Sequence, residues 1–158
     1  MYLQNIELGR DVWVDPTASI NNVKLGDNVV ISLKCTVFGK EGHLLEIGKY
    51  TKVGMFTILN GYSAPLKIGE YCSIGPMCHV LVDSGPTASH RLLVKYPIIA
   101  APITIGSHCH IGASCMIIAG VTIGEGAIIE SNSFVKRDVS ANSVYGGNPA
   151  TFIRRNEY

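Results

Sequence analysis

The chain lacks several features that would place it in a class at once. Thirteen Lys and Arg face twelve Asp and Glu over 158 residues, a formal net charge of +1, so no global field draws it to nucleic acid or to an anionic membrane. No stretch approaches the roughly 18 apolar residues of a membrane span. The first residues also lack a basic region followed by an apolar run. We therefore expect a soluble, cytoplasmic protein with neither a nucleic-acid nor a membrane partner.

The cysteines lack the spacing of a disulfide framework. They are five in number, an odd count without a CxxC pair, and this pattern favours reduced thiols in a reducing compartment. His108, Cys109 and His110 are nonetheless adjacent, and Cys115 follows closely. At first sight this stretch resembles a set of metal ligands.

A period of six residues gives a plainer interpretation. Counting in sixes from Ile99, each position holds a β-branched aliphatic residue, and no helix has this period. The positions are Ile99, Ile105, Ile111, Ile117, Ile123, Ile129 and Val135. Four residues after an aliphatic position comes a small or β-branched side chain, and all five cysteines fall at this offset. We therefore expect the thiols to pack in the core as compact apolar groups rather than to bind metal.

A repeat this short cannot bury its own apolar face, so successive coils must stack. Hexapeptide periodicity is the mark of a parallel β-helix in which three hexads form one triangular coil. The sequence predicts an all-β fold: a capping coil at 1–24, hexapeptide repeats at 25–140 and a tail at 141–158 with a short helix after Pro149. One excursion, at about 85–98, interrupts the repeats, and long loops on rigid scaffolds usually carry function.

The repeats, together with the tail "DVSANSVYGGNPATFIRR", resemble the hexapeptide-repeat acyltransferases, particularly the sugar O-acetyltransferases and the xenobiotic acetyltransferases. The resemblance is tight over 99–155 and includes "IGEYCSIGPM" at 68–77. It implies a left-handed β-helix, although the general crossover rule favours the right-handed coil. It also implies a homotrimer with active sites between subunits, acetyl-CoA as co-substrate and no required metal.

Acetylation of a hydroxyl requires a base that takes the proton as the oxygen attacks the thioester, and histidine suits this role near neutral pH. His90 lies in the excursion, followed by Arg91 and then by "KYP", which is similar to the elements around the catalytic histidine of xenobiotic acetyltransferases. The resemblance therefore implies that His90 is the base. His79 and His110 remain alternative bases, and a solvated surface histidine is the simplest alternative for each.

The resemblance also assigns residues to the cofactor. It places Ala113 and Ser131 beside the pantetheine arm, and it directs cationic residues towards phosphates, which require such partners. The implied cofactor-binding residues are Ala113, Ser131, Lys136, Arg137, Asn148, Pro149 and Arg154.

The sequence gives less direct information about the molecule that accepts the acetyl group. Asn60, Tyr62 and Asp83 are available to hydrogen-bond a sugar, and a generic solvent-facing role is an equal alternative. We expect a hydroxyl of a surface polysaccharide or of a nucleotide-linked sugar to be acetylated. The alternatives are an antibiotic acceptor, a zinc protein of the γ-carbonic anhydrase type and a non-catalytic scaffold.

Overall fold

The computed structural model describes residues 3–157. Residues 1, 2 and 158, which belong to the expected capping coil and tail, lie outside the described residues. The chain forms a left-handed parallel β-helix whose coils each contribute a strand to three sheets. The all-β class and the β-helix predicted from the hexads are thereby confirmed.

The strands are numbered along the chain. The first sheet contains, in spatial order, β1 (Ile6–Leu8), β4 (Val23–Leu25), β7 (Leu45–Ile47), β10 (Leu66–Ile68), β15 (Ile103–Ile105) and β18 (Thr122–Ile123). The second sheet contains β2 (Trp13–Val14), β5 (Val30–Ile31), β8 (Lys52–Val53), β11 (Ser73–Ile74), β16 (His110–Ile111), β19 (Ile128–Ile129), β21 (Ser143–Gly147) and β22 (Ala150–Arg155). The third sheet contains β3 (Ser19–Asn21), β6 (Thr36–Phe38), β9 (Ile58–Asn60), β12 (His79–Leu81), β17 (Met116–Ile118) and β20 (Phe134–Val135).

The excursion adds three short elements. They are β13 (Asp83–Ser84), the helix α1 (His90–Leu93) and β14 (Ile99–Ala100). The strands β13 and β14 pair in antiparallel fashion. The predicted excursion at 85–98 is thus the segment that this small hairpin encloses.

The register of the coils follows the hexads. Thr104 pairs with Thr122 in the first sheet, and Met116 pairs with Phe134 in the third. Both pairs are 18 residues apart in the sequence, which is three hexads. Since parallel strands lie about 4.8 Å apart, each aliphatic side chain of one coil packs directly on its equivalent in the next. The resulting axis is lined by fully buried side chains such as Ile105, Ile111 and Ile117.

The start of the hexad series was predicted wrongly. Ile99 is 66% exposed and lies in β14, outside the prism. The continuous series begins instead at Ile105, whose side chain is buried. Ile99 matched the period by chance. It is exposed because a two-stranded antiparallel hairpin leaves one face of each strand in solvent.

The small residues that lie four positions after each hexad aliphatic link neighbouring coils. The hydroxyl of Thr57 donates to the carbonyl of Gly75 at 2.9 Å and accepts a bond from the amide of Cys78 at 3.2 Å. The cysteines make the equivalent contact, since the thiol of Cys109 lies 3.1 Å from the carbonyl oxygen of Gly124. All five thiols are buried and unbridged, as the hexad offset predicted. The offset therefore holds compact side chains, of which the Thr and Cys residues also donate, whereas Val29, Val121 and Ala127 only pack.

Glycines allow the coils to come this close. A Cβ atom added to Gly75 would lie 2.7 Å from the amide nitrogen of Ala113 in the next coil. Real side chains do not tolerate such contacts with backbone. Glycine is therefore required by the approach of two coils rather than by local flexibility.

Two corners of the prism hold bulky residues in the left-handed backbone conformation. The corner between the first and second sheets has φ near 58° at Tyr50, 55° at Tyr71 and 58° at His108. The corner between the second and third sheets has φ near 59° at Phe56 and 58° at Met77. Bulky residues rarely adopt this conformation, so the stacking of coils imposes it against the local preference.

The predicted helix after Pro149 is wrong. Residues Ala150–Arg155 form β22, which runs antiparallel to β21 at the end of the second sheet. β21 itself pairs with β19, and the ring of Phe152 meets that of Tyr145 edge-on at 5.8 Å between centroids. An open sheet edge offered backbone partners to this segment, and these outweighed the helix preference that a proline at the first position confers.

Within residues 3–157, no helix has the length and apolar character needed to cross a membrane.

Replacing Thr57 with Val tests the bonds between coils. The change keeps the β-branched shape but leaves the carbonyl of Gly75 and the amide of Cys78 with one partner fewer, so we expect a loss of about 1–3 kcal/mol in the free energy of unfolding. The control is Thr104→Val on the exposed face of the first sheet, which should change stability by less than about 0.5 kcal/mol. Denaturant unfolding followed by circular dichroism measures both, and equal effects would contradict the role given to the offset hydroxyls.

Candidate active site

The excursion leaves the prism through a narrow neck. Asp83 pairs with Ala100 and Ser84 with Ile99, so the two ends of residues 85–98 are held side by side. Gly85 lies against Ile98, where an added Cβ would come within 2.9 Å of the Ile98 Cα. The neck therefore fixes how the excursion departs from the coils.

A cleft of about 620 Å³ lies between the excursion and the third sheet. Its walls are largely apolar, and its polar groups come mainly from the excursion. The lining residues are Ser84, Gly85, Pro86, Lys95, Tyr96, Pro97, Ile99, Met116, Ile118, Ala119 and Phe134. An apolar cleft with a few polar groups at its edge is the usual form of a small-molecule site.

His90 is the first residue of α1. The side chain of Ser89 caps this helical turn by accepting a bond from the amide of Leu92 at 3.3 Å. His90 is exposed, and its imidazole makes no hydrogen bond within the described part of the chain. It does not line the cleft itself, but Pro86 and Lys95, on either side of it in the sequence, do. The imidazole is thus available to an incoming ligand on the segment that forms the cleft.

The three residues expected to contact an acceptor come together at the foot of the excursion. Asn60 donates from Nδ2 to Oδ1 of Asp83 at 3.2 Å, and Oδ1 of Asn60 accepts from the amide of Tyr62 at 2.9 Å. Ser63 donates a very short bond to the other oxygen of Asp83. The ammonium of Lys40 lies 5.3 Å from the ring centre of Tyr62. Sequence reasoning missed Ser63 and Lys40, because neither lies at a hexad position.

The alternative bases lie elsewhere on the prism. His79 is half-buried in β12 between Ile58 and Met116, and His110 is exposed in β16 beside Ser73. Each therefore stands on a sheet face rather than on the excursion. His90 is the histidine of the three that the excursion carries.

The residues expected to bind cofactor fall into two places. Ala113 and Ser131 meet at the corner between the second and third sheets, where the amide of Ala113 donates to the hydroxyl of Ser131 at 3.1 Å. Lys136 and Arg137 line a groove of about 140 Å³ together with Pro149. Ala150 and Thr151 complete that groove, and Thr151 was not anticipated from the sequence.

Asn148 and Arg154 are not brought into this groove. Asn148 lies in the turn between β21 and β22 next to Pro149, and Arg154 lies in β22 opposite Val144. The guanidinium of Arg154 donates to the carbonyl of Arg155 at 3.1 Å. Because the predicted helix is a strand, Arg154 projects from a sheet edge instead of from a helical turn.

The thiols are not placed for chemistry. Cys72 and Cys109, and likewise Cys78 and Cys115, lie in adjacent coils. Cys109 and Cys78 each keep the proton that points towards the partner thiol, and this contact, together with burial, raises the pKa of both. Among residues 3–157, no three His, Cys, Asp or Glu side chains are grouped so that they could hold a metal ion.

The regular coils match a known protein family. The family model "Bacterial transferase hexapeptide (six repeats)" matches residues 102–137. These residues form the two regular coils that follow the excursion. The match therefore covers the part of the chain in which the hexads run without interruption.

Two curated relatives differ in how much they share. The putative colanic acid biosynthesis acetyltransferase WcaF of Escherichia coli is 35% identical over 134 residues, which are 83% of this chain and 68% of that protein. A probable macrolide acetyltransferase of Lysinibacillus sphaericus is 51% identical, but over only 39 residues. That match covers 25% of this chain, and the chain spans only 22% of the length of that relative.

A solved structure supports the same relationship. AntD, an N-acyltransferase from Bacillus cereus crystallised with dTDP and 3-hydroxybutyryl-CoA, superimposes with a TM-score of 0.85 at 26% identity. The superposition covers 96% of this chain and 83% of AntD. Taken with the similarity to WcaF and the family model, the coils establish that the chain belongs to the hexapeptide-repeat family of acyltransferases.

Proposed function

We propose that the protein transfers an acetyl group from acetyl-CoA to a hydroxyl of a sugar, with His90 as the general base. The observation that carries this proposal is the excursion at 85–98. It leaves an otherwise regular prism through one neck, forms the wall of an apolar cleft and carries an exposed imidazole. The polar cluster around Asp83 stands at its foot.

His90 performs the proton transfers in the proposed reaction. A ring nitrogen of its neutral imidazole accepts the proton of the acceptor hydroxyl as that oxygen attacks the thioester carbonyl. The new carbon–oxygen bond replaces the carbon–sulfur bond, and the imidazolium returns the proton to the departing thiolate of CoA. Acetylated sugar and CoA are the products. Because the five thiols are buried, direct transfer in a ternary complex is proposed rather than an acetylated cysteine.

The groove at Lys136 and Arg137 suits the phosphates of CoA. Both side chains are exposed, and neither has an ion-pair partner among residues 3–157. Guanidinium and ammonium groups bind phosphate by charge-assisted hydrogen bonds. We assign the nucleotide end of CoA to this groove and the pantetheine arm to the corner at Ala113 and Ser131. Asn148 and Pro149 shape the adjoining turn, and Arg154 stands at the neighbouring sheet edge.

The acceptor is assigned to the cluster of Asn60, Tyr62 and Asp83. Amide, phenol and carboxylate groups together offer donors and acceptors for the hydroxyls of a sugar. Two relatives support a sugar, since WcaF, which matches 83% of this chain, is named for colanic acid biosynthesis, and AntD was crystallised with dTDP, the nucleotide of a nucleotide-linked sugar. A surface polysaccharide or a nucleotide-linked sugar is therefore proposed over an antibiotic.

We propose a homotrimer in the cytoplasm, with sites shared between subunits. Apolar side chains are exposed at the corner between the second and third sheets, namely Met55, Phe56 and Met77. Apolar surface of this kind commonly marks an interface, and the flat faces of a triangular prism allow threefold packing. Acetyl-CoA and reduced thiols both fit the cytoplasm.

Substituting His90 tests the proposed base. His90→Ala and His90→Gln should each lower kcat roughly 10²–10⁴-fold, as expected for loss of a general base. Thiol release from acetyl-CoA is measured over free sugars, nucleotide sugars and antibiotics. The matched control is His79→Gln, and full activity of the His90 variants, or equal loss in the control, would overturn the assignment.

Substituting the cations tests the cofactor groove. The double change Lys136→Ala and Arg137→Ala should raise the KM for acetyl-CoA roughly tenfold or more, because a charge-assisted bond contributes about 1.5–3 kcal/mol. It should leave kcat within about threefold, since neither cation lines the cleft beside the excursion. Lys52→Ala, on the open face of the second sheet, serves as the control, and an unchanged KM in the double variant would contradict the assignment.

A further inference from the structure

A second feature of the prism is a row of rings along the corner between the first and second sheets. The residues of this row occupy equivalent turn positions in successive coils, and all have positive φ. They are Asp11, Asn28, Tyr50, Tyr71, His108, Gly126 and Asn142. Backbone bonds repeat along the row, for example from the amide of His108 to the carbonyl of Glu70 at 2.9 Å. The row is therefore in strict register with the coils.

Three rings of the row are stacked. The centroids of Tyr50 and Tyr71 are 5.1 Å apart with an interplanar angle of 6°, and those of Tyr71 and His108 are 5.2 Å apart with an angle of 2°. Their spacing is close to the coil repeat of about 4.8 Å. The coils thus hold three parallel rings at a fixed interval, and His108 is the last of them.

The stack is interrupted after His108. The next position is Gly126, which has no side chain, and the one after it is Asn142. His108 and Asn142 are therefore separated by two coil repeats, or about 10 Å. A pocket of about 400 Å³ occupies this interval, lined by Tyr71, His108, Glu125 and Asn142. The gap at Gly126 is therefore thick enough to hold one planar ring between His108 and Asn142.

The edge of this pocket is polar. Glu125 is exposed, and neither its carboxylate nor the side-chain amide of Asn142 has a hydrogen-bond partner within residues 3–157. A carboxylate only accepts hydrogen bonds, whereas an amide both donates and accepts. The pocket therefore offers the flat ring of His108 on one side and, at its edge, the carboxylate of Glu125, which favours ligands with N–H donors.

We propose that this pocket binds a nucleobase, which stacks on His108 and donates an N–H bond to Glu125. Every base has a face that stacks on a flat side chain, and Asn142 closes the opposite side of the gap. Such a base could be carried by a nucleotide-linked sugar or by CoA. The inference goes beyond the proposed acetyl transfer and uses none of the residues assigned to it.

Binding is measured by saturation-transfer NMR on the full chain with free nucleosides. Uridine and guanosine represent sugar nucleotides, and adenosine represents CoA. All should bind, and 3-methyluridine should bind roughly tenfold more weakly than uridine because a methyl group replaces its ring N–H. Equal affinity for uridine and 3-methyluridine, or no binding of any nucleoside, would overturn the proposal.

Substitutions within the row locate the site. His108→Asn removes the ring but retains a residue that tolerates positive φ, and it should weaken uridine binding roughly tenfold, as expected for loss of a stacking partner. Tyr50→Asn is the same type of change at the far end of the stack and should alter affinity by less than about twofold. Equal losses in the two variants would show that the pocket is not the binding site.

Filling the gap provides the complementary test. Gly126→Tyr should abolish binding, because the new ring fills the gap. The backbone should tolerate this change, since Tyr50 and Tyr71 adopt the same conformation at equivalent positions. Binding that survives in the Gly126→Tyr variant would contradict the proposal.

Discussion

The structure depends on the contact between one coil and the next. No coil can bury its aliphatic side chains alone, so the apolar axis exists only where coils stack. Buried hydroxyl and thiol groups at the offset position add a second link, since those of Thr51, Thr57 and Cys109 each donate to a carbonyl of the following coil. Glycine is required where two backbones approach. Together these contacts determine the register of every strand and leave little freedom to the prism itself.

The candidate functional features consequently lie where the regular stacking is relaxed. The excursion at 85–98 adds no residue to the apolar axis, yet it supplies His90 and one wall of a cleft. The turns at the corners are free to vary in side chain, because stacking constrains only their backbone. Stacked rings at one corner and apolar groups at another can therefore serve in recognition without disturbing the core.

The repeats could be predicted because the aliphatic residue at every sixth position is the side chain that fills the buried axis of the prism. The same rule failed at Ile99, where an aliphatic residue matched the period but lies on an exposed hairpin. It also gave no information about Arg154, since whether a terminal segment forms a helix or a strand depends on an open sheet edge that a local pattern does not show. The joining of Asn60 to Asp83, 23 residues apart, follows from coil geometry and could be anticipated. Ser63 could not, because it lies in an insertion outside the period. The period does fix the positions of Tyr50, Tyr71 and His108, but it does not show that their rings stack.

The central claim is that the prism folds by coil stacking alone and that the excursion carries the chemistry. Replacing residues 85–98 with Asn-Gly tests it directly, because Ser84 and Ile99 already pair in antiparallel fashion and a two-residue turn suits such a hairpin. The shortened chain should keep the circular dichroism spectrum and the denaturation midpoint of the parent, and thiol release from acetyl-CoA should be lost. Loss of the fold, or retention of acetyl transfer, would contradict the account.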